Sequence, residues 1–266
     1  LIVFPEACDR CPSLSDEEQK SWYKLRGDKV RDLFSQIARK SRCYIAYSAI
    51  RYLSTEENTP FRNSIQLINR DGLVVGTYDK NHLVPYEYDE RGIAYGRDAE
   101  VFELDFGKVA CIICFDLNFS LLLERYEKQR PDLVIFSSFY HGGIKQQEWA
   151  SRCRSYFAGA IDHDQSRVID PFGNEIATTT NYQDFVTVSV NLDYEIVHLD
   201  RNQEKIIAAK RKYGSSLRVF DPGHYGSVMM SYEETDKTIL EIIKEFDILL
   251  LDDYMNLCLD HRKAHL

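Results

Sequence analysis

The chain has 266 residues, 44% hydrophobic and 28% charged, and a formal net charge of −9. That mixture belongs to a folded globular protein and excludes a disordered tail, a collagen-like fibre and a small disulfide scaffold. The acidic balance argues against nucleic acid as a partner, and no apolar run reaches the roughly 18 residues needed to span a bilayer.

In chain order, the opening run Leu1-Ile-Val-Phe4 reads as the second half of a buried strand stopped by Pro5, so residues upstream are expected. It carries no charged leader, and the seven cysteines are expected to be free thiols in a reducing, cytoplasmic setting. Ser15 and Asp16 are cap candidates for a helical stretch. Its apolar stripe (Trp22, Leu25, Val30, Leu33, Phe34, Ile37) extends to about Lys40. Residues 44–50 read as a strand. Residues 64–69 and 73–78 flank Asp71-Gly72 and read as a hairpin.

Residues 80–96 read as a long loop. Residues 101–104 and 108–114 read as strands, the second apolar throughout and so buried on both faces. A helix over 119–129, a buried strand over 133–138 and a helix over 144–160 follow. Residues 166–169 and 175–178 flank Asp170-Pro-Phe-Gly173 and read as a second hairpin. Residues 185–192 read as a strand. Beyond Asp193 the pattern predicts helices over 202–213, 237–246 and 249–261 with one short strand over 227–231. Together these elements predict a layered α/β fold with mixed sheets. The division expected is a core over 1–200 and an extension over 201–266.

Three reactive side chains stand at the ends of predicted strands, where α/β folds collect their chemistry. Glu6 follows Phe4-Pro5; a carboxylate there is partly desolvated, which suits a base near neutral pH. Lys80, in Tyr78-Asp-Lys80-Asn-His82, can set an ammonium beside a nucleophile or a developing oxyanion. Cys114, in Cys111-Ile-Ile-Cys114-Phe-Asp116, sits at the exit of a buried strand, as a nucleophile on a turn does. Taken singly, each has a plainer reading: a solvated charge, a surface lysine, a small buried hydrophobe.

Other chemistries fit less well. The pairs Cys8/Cys11 and Cys111/Cys114 have zinc-like internal spacing. They stand about a hundred residues apart, however, against roughly 15–20 in a zinc ribbon. The chain holds no Gly-x-Ser-x-Gly elbow, and neither His141-Gly-Gly nor Gly223-His-Tyr-Gly matches a phosphate loop.

Glutamate, lysine and cysteine in this order and context resemble the nitrilase superfamily of carbon–nitrogen hydrolases. The resemblance rests on Leu1 to Glu6, on Tyr78-Asp-Lys80-Asn-His82-Leu-Val-Pro85-Tyr-Glu87, on Cys111-Ile-Ile-Cys114-Phe-Asp116-Leu-Asn118-Phe119, and on the late hairpin Ser166-Arg-Val-Ile-Asp-Pro-Phe-Gly173. It covers roughly residues 1–192. It implies a four-layer α-β-β-α sandwich, here lacking the family's first strand and helix, and a homodimer or larger homo-oligomer. The stretch 249–266, with Tyr254, Leu257 and Leu259, is a candidate docking element for a partner subunit.

The resemblance also implies roles. Cys114 would be the nucleophile, Glu6 the general base, and Lys80 with the Phe115 N–H the oxyanion donors. The family's second glutamate is best matched by Glu87, with Glu90 the alternative. No metal or organic cofactor is called for. Phe115-Asp116 sides with amides or N-carbamoyl compounds, whereas relatives acting on nitriles usually carry Trp-Glu there. Asn118-Phe-Ser120 replaces the Arg and Pro-Glu of many amidase relatives, so the substrate stays open. Ser138, Tyr140 and His141, following a buried strand, are expected to line the substrate pocket together with Phe115. Nitrile hydrolysis, acyl transfer and a non-catalytic oligomerising scaffold remain as alternatives.

Overall fold

The computed structural model describes residues 1–54 and 60–266. They form two compact units, Leu1–Val188 and Ser189–Leu266.

In the first unit, β1 (Ile2–Val3) runs parallel to β2 (Ile45–Tyr52), and the antiparallel strands β3 (Phe61–Ile68) and β4 (Val74–Asp79) complete a four-stranded sheet in the order β1-β2-β3-β4. β1 is an edge strand with one neighbour. Leu1 and Ile2 are accordingly 44% exposed, where a buried strand was expected. The β3–β4 turn is closed by the Asn69 side chain, which accepts from Asp71 N at 3.0 Å and Leu73 N at 2.9 Å. Gly72 sits in that turn at φ +75°, and a Cβ there would lie 2.4 Å from Ser35 O. No other residue fits both the conformation and the contact.

The helical stretch before β2 is two helices, α1 (Asp16–Arg26) and α2 (Lys29–Ser41). Ser15 caps α1 in a reciprocal box with Glu18. Gly27, at φ +52°, breaks the chain between them, a stop the continuous apolar stripe conceals. α2 packs Val30, Phe34 and Ala38 on Ile45, Tyr47 and Ile68 of the sheet.

The second sheet has six strands in the order β10-β9-β8-β7-β6-β5. α3 (Pro85–Asp89) precedes it, a short helix within the stretch expected to be loop. β5 (Phe102–Leu104) and β6 (Gly107–Ile113) form a hairpin. α4 (Ser120–Gln129) leads to β7 (Leu133–Ser138), and α5 (Lys145–Cys153) to β8 (Tyr156–Ile161). β6, β7 and β8 are parallel and almost wholly buried. β9 (Arg167–Ile169) and β10 (Glu175–Thr178) form the closing hairpin.

β8 corrects the single helix expected over 144–160. Arg154 adopts a left-handed conformation that ends α5, and the apolar run Tyr-Phe-Ala-Gly-Ala-Ile then pairs with β7. A short apolar run fits either periodicity, and only the neighbouring strand decides. α4 and α5 bury Leu122, Tyr126, Trp149 and Cys153 against Val134, Phe136 and Phe157. The two sheets meet through β3 with β6 and β1 with β8, giving the expected order α-β-β-α.

The second unit is a three-stranded antiparallel sheet, β11 (Tyr194–His198), β13 (Ser227–Tyr232) and β12 (Leu217–Phe220), with β13 central. α6 (Gln203–Tyr213) and α7 (Ile239–Glu245) bury Ile206, Ala209, Ile242 and Ile243 on it. β11 therefore belongs with this unit and not with a core ending at 200. Residues 185–192, expected as a strand, form none, and Phe185 is 68% exposed. Fully buried Asn202 joins β11 to the stretch after α7, donating to His198 O and Leu249 O at 2.8 Å each and accepting from Leu249 N at 2.9 Å. α8 (Leu251–Ala264) ends the chain with Met255, Leu257 and Leu259 exposed. No helix among the described residues is long and apolar enough to cross a membrane.

Candidate active site

Glu6 leaves β1 after Pro5, whose missing N–H ends the ladder. Ser137 Oγ of β7 donates to Phe4 O at 2.8 Å, and Cys8 N donates to Ser48 O at 2.9 Å, so the segment is held by both sheets. Three residues past Glu6, buried Asp9 pairs with Arg26 of α1 and accepts from Tyr47 of β2. Glu6 is thereby fixed with its side chain 2% exposed.

Lys80 ends β4. Its N–H donates to Asn63 O at 2.8 Å, and its carbonyl accepts from Gly96 N at 2.7 Å. Gly96 can approach this closely only as glycine, since a Cβ there would lie 2.0 Å from Asp79 O. Glu87 lies in the first turn of α3, where its Oε2 accepts from Val84 N at 2.9 Å. Cys114 begins a 3-10 turn, Cys114–Asn118, directly after β6, at φ +49°. A non-glycine residue in that region is uncommon and carries strain of order 1–3 kcal/mol. The next turn of chain anchors it. Asp116, fully buried, accepts from Ile113 N at 3.0 Å, Tyr78 OH at 2.8 Å and His82 N at 2.8 Å.

These elements bring the four side chains to the buried end of one cavity of about 160 Å³. Lys80 Nζ lies 3.1 Å from Glu6 Oε1 and 3.0 and 2.8 Å from the two Glu87 oxygens. Asn63 Nδ2 donates to Glu6 Oε1 at 2.7 Å and to Glu87 Oε1 at 3.2 Å. Glu6 Oε2 is buried with no hydrogen-bond partner among the described residues.

The electrostatics follow from burial and this clustering. Burial, and to a lesser degree the Glu87 charge, raise the Glu6 carboxyl above its usual range against the pull of Lys80 and Asn63. Burial alone would lower Lys80, but Glu6 and Glu87 outweigh it and raise the ammonium. Burial and then the Glu6 charge push the Cys114 thiol up to about 12, against Lys80 and the Phe139 backbone. The resting pair is therefore a neutral thiol beside a carboxyl group of raised proton affinity.

The sequence profile described as Carbon-nitrogen hydrolase matches residues 1–196. The chain belongs to the carbon–nitrogen hydrolase family. Its relatives include the omega-amidase NIT2 of Danio rerio, 22% identical over 218 residues that cover 73% of this chain and 77% of the relative. They also include the "Hydrolase in agr operon" of Staphylococcus aureus, 25% identical over 211 residues covering 73% and 78%. Among solved structures, Saccharomyces cerevisiae Nit3, a member of branch 10 of the nitrilase superfamily, superposes with TM-score 0.58 at 18% identity over 66% of this chain and 71% of the other. An amidase from Nesterenkonia sp. AN1 gives TM-score 0.59 at 16% identity over 77% and 84%. The fold is that of the nitrilase superfamily.

In this carbon–nitrogen hydrolase the alternatives at the second glutamate separate by position. Glu87 is buried on Lys80, while Glu90 lies exposed at the end of α3, its N–H donating to Tyr86 O. Ser138, Tyr140 and His141, expected in the pocket, do not line it. Ser138 Oγ is turned back onto the Tyr140 backbone, donating to its carbonyl at 2.7 Å and accepting from its N–H at 3.0 Å. Tyr140 OH accepts from Asn118 Nδ2 at 2.8 Å, and His141 Nδ1 accepts from Gly143 N at 3.1 Å. Phe139, between them, enters the cavity instead. Phe115 packs edge-on to Phe119 at 5.2 Å and contributes no side chain to the lining.

Sequence reasoning missed Asn63, because a polar residue near a strand end reads as solvent-facing. It also missed the wall and rim residues Tyr23, Phe61, Arg10, Lys20 and Arg91, which come from α1, β3 and loops. A sign of Asn63 was available in its place two residues before Ile65, on the buried face of a strand.

Proposed function

We propose that the chain is a cysteine-dependent hydrolase of small-molecule amides or N-carbamoyl compounds, working through a thioester. The observation that carries this reading is the position of Lys80, clamped between Glu6 and Glu87 at the buried end of a cavity that Cys114 also lines. The family membership and the amidase relatives support the same bond class.

Glu6 takes the thiol proton as Cys114 Sγ attacks the carbonyl carbon, its unpartnered Oε2 being the acceptor at hand. Without that transfer few thiolates exist, since the resting thiol ionises only near 12. Lys80 and the Phe115 N–H hold the negative oxygen of the tetrahedral state. One such donor lowers the barrier by about 3 kcal/mol. The C–N bond then breaks as Glu6 returns the proton to the departing nitrogen, leaving a thioester and free ammonia or amine. Water attacks the thioester with Glu6 or Glu87 receiving its proton. The C–S bond breaks, the acid leaves and the thiol regains its proton.

The test is ammonia release from aliphatic amides, N-carbamoyl compounds and nitriles, beside Cys114→Ala. Turnover of an amide or carbamoyl compound that disappears in the variant supports the proposal. Release from nitriles alone moves the reading to a nitrile hydrolase, and transfer to an added amine outrunning hydrolysis moves it to an acyltransferase. Turnover that survives the substitution removes Cys114 from the mechanism.

A further inference from the structure

α1 is fastened to the rest of its unit by a charge. Its one buried side chain is Arg26, while Trp22 and Tyr23 are half-buried and Leu25 is 71% exposed. A surface helix ordinarily docks through an apolar stripe, as α2 does with Val30, Phe34 and Ala38.

Arg26 uses four of its five N–H donors inside the protein. Nη1 donates to Asp9 and, at 3.2 Å, to Tyr47 OH, which itself donates to Asp9. Nη2 donates to Ile50 O, and Nε to Gly27 O at 3.2 Å, just past the end of α1. The guanidinium carbon lies 5.5 Å from the centre of the Tyr23 ring. Asp9 is three residues past Glu6, and Tyr23 and Ile50 line the cavity. One cation thus joins the segment carrying Glu6 to two parts of the cavity wall.

Stability does not call for this arrangement. The Arg26 and Asp9 side chains are 3% and 8% exposed, so both charges have lost their water. Replacing such a pair by apolar groups of similar volume is often neutral or stabilising. Asp9 Oδ1 is also buried with no hydrogen-bond partner among the described residues. What the pair supplies beyond apolar packing is direction, because the planar fork fixes Asp9, Tyr47 and the Ile50 carbonyl relative to one another. Direction matters at Glu6. Lys80 and Asn63 both hold its Oε1, so the carboxyl group must meet the Cys114 thiol in one orientation. A misplacement of about 1 Å can cost about a hundredfold in rate.

We propose that Arg26 is a positioning residue: through Asp9 it holds Glu6 in reach of Cys114, and through Tyr23 and Ile50 it fixes the wall beside them. This rests on the hydrolase reading for the role of Glu6 as base.

The test reads Cys114 without a substrate. Its sulfur displaces iodide from iodoacetamide as the thiol proton passes to Glu6, and peptide mass spectrometry follows Cys114 apart from the other cysteines. At neutral pH, Arg26→Met is expected to slow this step about tenfold or more, part of the roughly 10²–10⁴ that a placed base contributes. In a Glu6→Gln background the same substitution is expected to add little, since its effect runs through Glu6. Arg26→Met strands the buried Asp9 charge, so its melting temperature falls as well. Asp9→Leu combined with Arg26→Met removes both charges. There the melting temperature is expected to recover while alkylation stays slow. Arg26→Lys keeps the charge and loses the fork. It too is expected to slow alkylation, and it carries the test if the apolar variants do not fold. Alkylation that recovers with the melting temperature, that none of these substitutions slows, or that falls equally with and without Glu6 overturns the proposal. Amide turnover by the unsubstituted chain tests the hydrolase reading separately. Slowed alkylation with no turnover of any amide keeps the role of Arg26 and removes that reading. Turnover with alkylation indifferent to Arg26 does the reverse.

Discussion

Asp116 Oδ1 accepts from the backbone N–H of His82 at 2.8 Å and meets its Nδ1 at 3.0 Å. Asp116 lies two residues after Cys114, and His82 lies two residues after Lys80. One carboxylate therefore ties the turn bearing Cys114 to the strand end bearing Lys80. The His82 ring stacks on Phe119 at 3.7 Å, which closes the joint.

Asp116→Asn keeps the shape and removes charge from an acceptor with three donors and the His82 ring nitrogen around it. The expected loss is about 1–3 kcal/mol of stability, because at least one buried donor is left unsatisfied. Turnover should fall through kcat with little change in KM, since the residue aligns reacting groups and does not line the cavity. Thermal unfolding and steady-state kinetics measure the two effects.

Lys80→Met removes the one cation between Glu6 and Glu87, both buried. Breaking a buried ion pair from one side costs about 3–5 kcal/mol. The variant should also lose turnover. Its stability should recover as pH falls, because protonation neutralises Glu6, whose proton affinity burial already raises. Denaturant unfolding at neutral and mildly acidic pH reads both parts.

Asn63→Leu tests the base. The Asn63 amide stabilises the Glu6 carboxylate at 2.7 Å and lowers its proton affinity. Losing that donor raises an already raised group further. In the proposed mechanism the carboxylate is the active form, so the acidic limb of kcat/KM against pH should move to higher pH. An unmoved limb would take Glu6 out of the base role.

The Cys114 thiol, raised to about 12 from an ordinary value of 9.0, gives a pH prediction of its own. Its folded value lies above its unfolded one. The contribution is therefore complete below pH 9 and is lost as pH rises towards 12, where the unfolded thiol has ionised first. The ultraviolet thiolate signal, taken as the difference from Cys114→Ala, should titrate near 12. A midpoint near 9 would mean that burial and Glu6 do not act on the sulfur as the geometry implies.

Gly96→Ala is a remote change with a local consequence. Its Cβ would lie 2.0 Å from Asp79 O, so the strand end must shift. Overpacking of this kind costs about 1–3 kcal/mol. Lys80, the next residue along, should shift with it. Reduced kcat together with a lowered melting temperature is the expected outcome.

Much of the buried end of the site was legible because its residues stand at strand ends. Glu6, Lys80 and Cys114 each follow an apolar run, and their order and context distinguish them from ordinary strand-end charges. Asn63 was not legible, since alternation says which face a residue takes and not what meets it there. Arg10 and Arg91 were hidden for another reason. They come from separate loops that only the completed fold brings to one rim. β8 was lost to length, since six apolar residues satisfy a helix as well as a strand until β7 is beside them. Strand position alone puts Ser138, Tyr140 and His141 in the pocket. Their local hydrogen bonds, from the Tyr140 backbone, Asn118 and Gly143, hold them out of it.

The sharing of one lysine by two glutamates bears on how a catalytic cycle would end. An amide enters neutral, but the acid that replaces it ionises at the same buried point. With Glu6 and Glu87 ionised, that new anion meets two carboxylates and one ammonium already committed to them. The proposed reaction would convert a tolerated guest into a repelled one, with the repulsion acting only after the bond is broken. An amide hydrolase working as proposed should show little inhibition by its own product, the departure of the acid being driven by the charges of Glu6 and Glu87.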